Sequence, residues 1–98
     1  MAAFKDIIDS DTPVLVGFFA EWCGPCKMMP PILKDVKSTL GDQVKVLKID
    51  VDKNKKAASN YQIQGVPTLI LFKGGKVIWR KSGVIPATEL VEQVKAIP

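Results

Sequence analysis

The stretch Trp22-Cys23-Gly24-Pro25-Cys26 holds both cysteines of this 98-residue chain, two residues apart. It comes shortly after an apolar run, Val14-Leu15-Val16-Gly17-Phe18-Phe19, and a run of that length is typical of a buried strand. On its other side, residues 27–40 carry apolar side chains at helical spacing: Met29, Leu33, Val36 and Leu40. The sequence therefore predicts that the two thiols lie where a strand ends and a helix begins.

A helix N-terminus is a favourable place for a reactive thiol. Its first backbone N–H groups have no partner within the helix and carry a partial positive charge, which stabilises an anion such as a thiolate. The thiolate is the nucleophile of disulfide exchange, and a second thiol nearby can attack the mixed disulfide and release the product. We interpret Cys23 and Cys26 as a redox centre on these grounds.

Two other uses of the cysteine pair stay open in the sequence. A zinc site takes about four nitrogen, sulfur or oxygen ligands, and the chain has no histidine and no second cysteine pair. A metal would therefore have to be shared across a dimer, and we expect none. A purely structural disulfide between Cys23 and Cys26 would close almost no loop, so it would add little stability through chain entropy.

Length and composition favour one globular domain over residues 1–98, because the chain is 47% hydrophobic and 24% charged. No apolar stretch approaches the roughly 20 residues that a membrane helix needs, and residues 1–11 show no signal-peptide pattern. The net charge of +4 comes without the dense basic stripe and interleaved aromatics typical of nucleic-acid binding. We expect a cytoplasmic monomer with no nucleic-acid or membrane partner.

The apolar periodicities and turn residues predict the order helix, strand, helix, strand, helix, β-hairpin and helix. Strands separated by helices favour parallel pairing, and the hairpin adds antiparallel strands. The predicted fold class is therefore α/β, a three-layer sandwich around a mixed sheet. The predicted elements are a short helix over residues 4–8, strands over 14–19, 44–49, 68–72 and 77–81, helices over 27–40 (kinked at Pro31) and 54–61, a tight turn at Gly74-Gly75, and a last helix beginning near Pro86.

Three segments resemble the thioredoxin family: residues 19–28, which read Phe-Ala-Glu-Trp-Cys-Gly-Pro-Cys-Lys-Met, the loop Val66-Pro67-Thr68, and Gly83 after the last strand. The resemblance runs from about Phe4 to the C-terminus and implies the thioredoxin fold. The family's usual first strand would lie before Phe4. We therefore expect a four-stranded sheet, with the strand over residues 44–49 at its edge.

The resemblance also implies roles for the site residues. Cys23 would be the exposed attacking thiolate and Cys26 the shielded resolving thiol. The dipeptide Gly24-Pro25 is similar to that of the reducing members of the family. A flat apolar surface that receives substrate would be formed by Trp22, Val66, Pro67 and Gly83, with Pro67 in the cis form.

The implied function is an electron carrier in cell redox homeostasis, a protein-disulfide reductase that acts on disulfide-containing proteins. No tightly bound cofactor is needed, and an NADPH-dependent flavoenzyme, thioredoxin reductase, would recharge the protein. A binding module whose cysteines are secondary is the alternative from another class. An oxidising role in a secretory compartment is disfavoured by Gly24-Pro25.

Gly17 departs from the family, which usually has a buried aspartate at this place, beside a lysine that matches Lys48. One hypothesis is that water in the space left by Gly17, together with Lys48, forms the proton route for Cys26. Alternatively, glycine simply replaces a costly buried acid or is an engineered substitution, and Lys48 is a surface residue of the edge strand. The sequence does not distinguish these alternatives.

Other side chains near the motif have plainer interpretations. We expect Trp79 to pack against the domain, and Met28 and Met29 to fill the core or the apolar surface. Asp52 and Glu21 either tune the thiols or are solvated.

Overall fold

The computed structural model, which describes residues 3–98, contains four strands; helices separate the first three, and the last two form a hairpin. The elements in chain order are α1 (Phe4–Ile8), β1 (Val14–Phe19), α2 (Met29–Leu40), β2 (Lys45–Asp50), α3 (Lys55–Asn60), β3 (Thr68–Lys73), β4 (Lys76–Ser82) and α4 (Ala87–Lys95). Short 3₁₀ turns, Pro25–Met28 and Gly41–Gln43, stand before and after α2. The predicted order of elements is confirmed, with small shifts at their ends. Within residues 3–98, no helix has the length and apolar character needed to cross a membrane.

The sheet is mixed and four-stranded, in the order β2-β1-β3-β4, which places β2 at an edge as expected. β1 and β2 are parallel, and their register sets Gly17 opposite Lys48. β3 is antiparallel to both β1 and β4. The expectation that strands separated by helices pair in parallel is therefore wrong for β3, which crosses to the far side of β1 and reverses its direction.

Side-chain alternation along the strands divides the core between the two faces of the sheet. On one face, Leu15 of β1 and Leu69 and Leu71 of β3 pack against α2 and α4. On the other face, Val14, Val16 and Phe18 of β1 and Ile70 and Phe72 of β3 pack against residues of α1 and the segment after α3. Trp79 is partly buried against the first face, as predicted. The helices on both faces give the three predicted layers.

The helix after the dithiol differs from the prediction, because it is interrupted rather than kinked. A 3₁₀ turn covers Pro25–Met28, and α2 begins only at Met29. Pro30 and Pro31 therefore lie in the first turn of α2 and not inside a longer helix. Their missing N–H groups cost little there, since the first N–H groups of a helix have no intrahelical partner.

The β3–β4 hairpin and the last helix follow the prediction closely. Gly74 and Gly75 have φ of 59° and 78°, and two successive positive φ angles are typical of the tight turns that join antiparallel strands. Pro86 is the N-cap of α4. Leu90 and Val94 of that helix are buried.

Candidate active site

The two cysteines lie just beyond the carboxyl end of β1, in a loop and the 3₁₀ turn that follows it. Cys23 and Cys26 form a disulfide, with their Cα atoms 5.4 Å apart. The loop is closed by the backbone N–H of Cys23, which donates to the carbonyl of Ala20 at 3.1 Å. Pro25 begins the 3₁₀ turn, where its fixed φ suits the geometry and no N–H is needed.

The sulfur of Cys23 lies against two backbone groups. The N–H of Cys26 donates to Cys23 Sγ at 3.1 Å, and the carbonyl oxygen of Val66 lies 3.6 Å from the same sulfur. When the disulfide is reduced, an N–H group in this position stabilises negative charge on Cys23. The structure thus contains the N-terminal amide environment that the sequence predicted for a reactive thiol.

Exposure does not separate the two cysteines in this disulfide form. Cys23 is 4% exposed and Cys26 is 5% exposed, so the expectation of an exposed Cys23 is not met here. Both cysteines lie in one buried cluster with Ala20, against which Phe19, Val51 and Val66 pack. The assignment of Cys23 as the attacking thiol stays a prediction that rests on its amide contact.

The loop that leads into β3 lies beside the disulfide, because the start of β3 pairs with the carboxyl end of β1. The Val66–Pro67 peptide bond is cis, in agreement with the expectation. The backbone N–H of Gly83 donates to the Pro67 carbonyl at 2.8 Å, and Thr68 Oγ1 donates to the carbonyl of Gly65 at 2.6 Å. The fold therefore brings Val66, Pro67 and Gly83 together next to Cys23. Their role in binding substrate stays a prediction.

Trp22 is the most exposed large apolar residue of the site, at 72% of its surface. Its indole Nε1 donates to Asp52 Oδ2 at 2.9 Å. Asp50, which is buried, holds the loop that carries Asp52, because its Oδ1 accepts from the N–H groups of Asp52 at 2.8 Å and Lys53 at 3.3 Å. Asp52, expected to tune the thiols or to be solvated, thus holds Trp22 in place.

Sequence reasoning missed two contributors to the site. The predicted second strand ends at residue 49, before Asp50, although an acidic residue at a strand end commonly caps the turn that follows. Val84, which follows Gly83 in the chain, is an apolar residue that is 37% exposed, and Met28 is 58% exposed. Met29, by contrast, is buried in the core. Glu21 forms an exposed ion pair with Lys53 at 3.4 Å.

A cavity of about 80 Å³ lies behind Cys26, and Gly17, Leu33, Lys48 and Pro67 are among its lining residues. The space directly at Gly17 is smaller than the sequence suggested. A Cβ added there would lie 3.3 Å from Leu33 Cδ1 and 3.4 Å from Leu69 Cδ1. The structure therefore brings Gly17, Lys48 and Cys26 to one cavity, with methyl groups filling part of the room that the missing side chain leaves.

Among residues 3–98, no cluster of three or more acidic, cysteine or histidine side chains is arranged to hold a metal ion. The groups that the structure places at the site are the two sulfurs, the amide of Cys26 and the backbone of Val66. A sulfur that accepts a hydrogen bond from a backbone N–H can attack a disulfide. The carbonyl beside it can accept a hydrogen bond from the extended segment that carries this disulfide.

Comparison with known proteins gives consistent matches over nearly the whole chain. A family model described as Thioredoxin matches residues 1–96. Thioredoxin Y, chloroplastic, from Oryza sativa subsp. japonica is 45% identical over 96 residues, which cover 97% of this chain and 57% of that protein. Thioredoxin from Rhodospirillum rubrum is 45% identical over 92 residues, which cover 94% of this chain and 88% of that protein.

A similar solved structure comes from a study of the thiol resolving mechanism in yeast mitochondrial 1-Cys peroxiredoxin via glutathione/thioredoxin systems. Its TM-score is 0.86 at 31% identity, and the match covers 96% of this chain and 87% of that one. The chain thus spans only 57% of the rice relative but most of the bacterial relative and of the matched structure.

Proposed function

The chain belongs to the thioredoxin family, and from that premise we propose that it reduces disulfides of protein substrates by dithiol–disulfide exchange. Its domain is a thiol–disulfide oxidoreductase domain, with the cysteine pair of a Trp-Cys-Gly-Pro-Cys motif at disulfide distance. The observation that carries the proposal is the N–H of Cys26, which donates to Cys23 Sγ at 3.1 Å. That contact supports the assignment of Cys23 as the nucleophile, because it would stabilise the anion of this sulfur in the reduced protein.

The exchange balances in two steps. The thiolate of Cys23 attacks one substrate sulfur, the substrate S–S bond breaks, and the other substrate sulfur leaves as a thiolate that takes a proton from solvent. Cys26, after losing its proton, then attacks Cys23 Sγ, and the second substrate sulfur leaves. Two electrons pass from the dithiol to the substrate, whose disulfide is reduced while Cys23 and Cys26 become a disulfide.

The surface around Cys23 supports an extended protein segment as substrate. The Val66 carbonyl lies 3.6 Å from Cys23 Sγ, so a chain that pairs with the backbone of Val66 would present its sulfur to Cys23. Apolar side chains of such a segment would contact Trp22 and Val84, which are exposed. Trp22, Val66, Pro67 and Gly83 are in this proposal the substrate-binding residues.

Recharging of the oxidised protein is assigned, within the same proposal, to thioredoxin reductase, an NADPH-dependent flavoenzyme, as for the family in general. The cytoplasmic location and the monomeric state stay predictions, and the rice relative is named as chloroplastic. No resident cofactor takes part in the proposed exchange.

The test is the reduction of insulin disulfides coupled to NADPH and a thioredoxin reductase. We expect turnover by the unmodified protein and none by Cys23→Ser, while Cys26→Ser should accumulate a mixed disulfide with insulin that mass spectrometry detects. Thermal unfolding of both variants controls for loss of fold. A doubly substituted Cys23→Ser/Cys26→Ser protein that keeps its biological activity would instead establish a binding module. A reduction potential near that of secretory oxidants would replace the reducing role by an oxidising one.

A further inference from the structure

A groove that the proposed exchange does not use lies between α1 and the segment over residues 53–61. Its volume is about 800 Å³, and its ten lining residues come from residues 3–5 and from that segment. Four of the ten are lysines, and none is acidic: the lysines are Lys5, Lys53, Lys55 and Lys56. The groove is therefore a surface of one sign of charge.

The charges of these lysines are largely unneutralised within the protein. The ion pairs found among residues 3–98 are Lys53–Glu21 and Lys81–Glu89, so Lys5, Lys55 and Lys56 pair with no carboxylate there. All four groove lysines are exposed. The pair of Lys53 with Glu21 is exposed on both sides as well, and such pairs are weak. The ammonium groups of the groove can therefore bind carboxylates of another molecule.

One end of the groove adjoins the candidate active site. Lys53 Nζ lies 3.4 Å from Oε1 of Glu21, which precedes Trp22 in the chain. On the other side, Asp52 precedes Lys53 and accepts a hydrogen bond from Trp22 Nε1 at 2.9 Å. The N–H of Lys53 is held in turn by Asp50 Oδ1 at 3.3 Å. A molecule that occupies the groove would therefore lie close to a substrate bound at Trp22.

The aromatic residues of the groove favour a protein partner over a nucleic acid. Phe4 and Tyr61 pack edge to face with each other, with ring centroids 5.6 Å apart. Both rings also pack against Phe72, at 5.9 and 5.1 Å. Rings that are engaged in this way are not platforms on which bases stack. Clustered carboxylates on an extended protein segment, by contrast, complement a row of exposed ammonium groups.

We propose that this groove binds an acidic segment of the protein whose disulfide is reduced at Cys23. The inference rests on the proposed function, because the acidic segment occupies the groove while the substrate disulfide lies at Cys23. Trp22 and Val66 contact the chain around the disulfide, and the groove lysines select among substrates by a second, electrostatic contact. This contact raises the rate of productive encounter and adds no chemical step.

The experiment compares acidic and neutral disulfide peptides as substrates of the reduced protein. Each substrate is a pair of peptides joined by one disulfide, with a fluorophore on one chain and a quencher on the other, so that reduction raises the fluorescence. One chain carries four glutamates on the N-terminal or the C-terminal side of its cysteine, and the matched peptide carries glutamines. Reduction of the same peptides by dithiothreitol corrects for the effect of the glutamates on the disulfide itself.

We expect the glutamate peptide, in at least one of the two placements, to be reduced roughly fivefold faster or more than the glutamine peptide at about 10 mM salt. The difference should fall below about twofold at about 1 M salt, where charges are screened beyond about 3 Å.

Two double variants locate the effect. Lys55→Gln/Lys56→Gln removes two groove charges, and the ratio of the two peptide rates should fall by roughly threefold or more. The matched control is Lys34→Gln/Lys95→Gln, which removes the same charge from exposed residues of α2 and α4 that do not line the groove. Its ratio should stay within a factor of about 1.5 of that of the unmodified protein. Thermal unfolding checks that both variants are folded.

Equal rates for the glutamate and glutamine peptides overturn the inference. An equal loss of discrimination in the two double variants also overturns it, because net charge alone would then explain the effect. Binding of a single-stranded oligothymidylate that Lys55→Gln/Lys56→Gln abolishes, without any difference between the peptides, would assign the groove to nucleic acid instead. The proposed function fails in another way, if the unmodified protein reduces neither peptide.

Discussion

Gly83 offers a sharp test of how the site is held together. It has a φ of +103°, which side chains of L-residues disfavour, and its N–H donates to the Pro67 carbonyl at 2.8 Å. A Cβ added at Gly83 would meet no heavy atom within 4 Å. Gly83→Ala therefore changes backbone strain and leaves packing untouched.

The expected loss of stability in Gly83→Ala can be stated because only backbone strain changes. A non-glycine residue held at such a φ costs about 1–3 kcal/mol, and with no clash to add, the free energy of unfolding should fall within that range. For a domain of this size each kcal/mol lowers the melting temperature by about 4–8 °C. If the loop relaxes instead, the hydrogen bond to Pro67 is lost and the cis-proline loop moves away from Cys23, so the rate of the first exchange step should also fall.

The assay is urea unfolding of the oxidised protein together with the dithiobis-nitrobenzoate kinetics of the reduced protein. The matched control is Gly65→Ala, which lies in the loop before β3, has no positive φ and has open space at its Cβ, and it should change stability by no more than about 0.5 kcal/mol. Equal stability of Gly83→Ala and the unmodified protein would refute the strain argument. Equal losses in both glycine variants would refute it as well, because strain would then not distinguish them.

Three further predictions follow from single contacts. In the reduced protein, Cys23 should ionise at a lower pH than a free thiol, because a backbone N–H donates to its sulfur; the pH dependence of alkylation measures this. Asp52→Ala should change the tryptophan fluorescence and slow insulin reduction, whereas Asp52→Asn, which keeps an acceptor for Trp22, should change both less. Phe72→Ala should lower the free energy of unfolding by about 3–5 kcal/mol, because Phe72 is fully buried, while the exposed Ile78→Ala should cost less than about 1 kcal/mol by the same denaturation measurement.

The sequence was sufficient for the elements and insufficient for parts of their arrangement. Strand residues could be predicted because a short apolar run between turn residues has few alternatives, as for β1. The direction of β3 could not be predicted, since the alternation of strands and helices does not determine on which side of β1 the next strand lies. Likewise, Pro30 and Pro31 signalled a break in the helix, but only the structure shows that the break precedes Met29 and leaves a separate 3₁₀ turn.

The candidate site could likewise be predicted only in part from the sequence. The position of Cys23 and Cys26 at a strand end followed from local sequence, and the cis-proline loop followed from resemblance. The contact from Trp22 to Asp52 joins residues 30 positions apart, and no local pattern contains it. The contact of Cys23 with Val66 likewise joins residues 43 positions apart.

The behaviour of Gly17 shows why a missing side chain cannot be equated with free space. Whether its absence leaves room depends on Leu33 of α2 and Leu69 of β3, whose methyl groups come within 3.3 and 3.4 Å of the place where a Cβ would be. The charge near the cavity depends equally on strand register, because the pairing of β1 with β2 sets Lys48 opposite Gly17. A slip of one residue would place Leu47 or Ile49 there and leave the cavity behind Cys26 without a cation. The composition of the cavity lining is therefore a property of strand pairing as much as of the residues themselves.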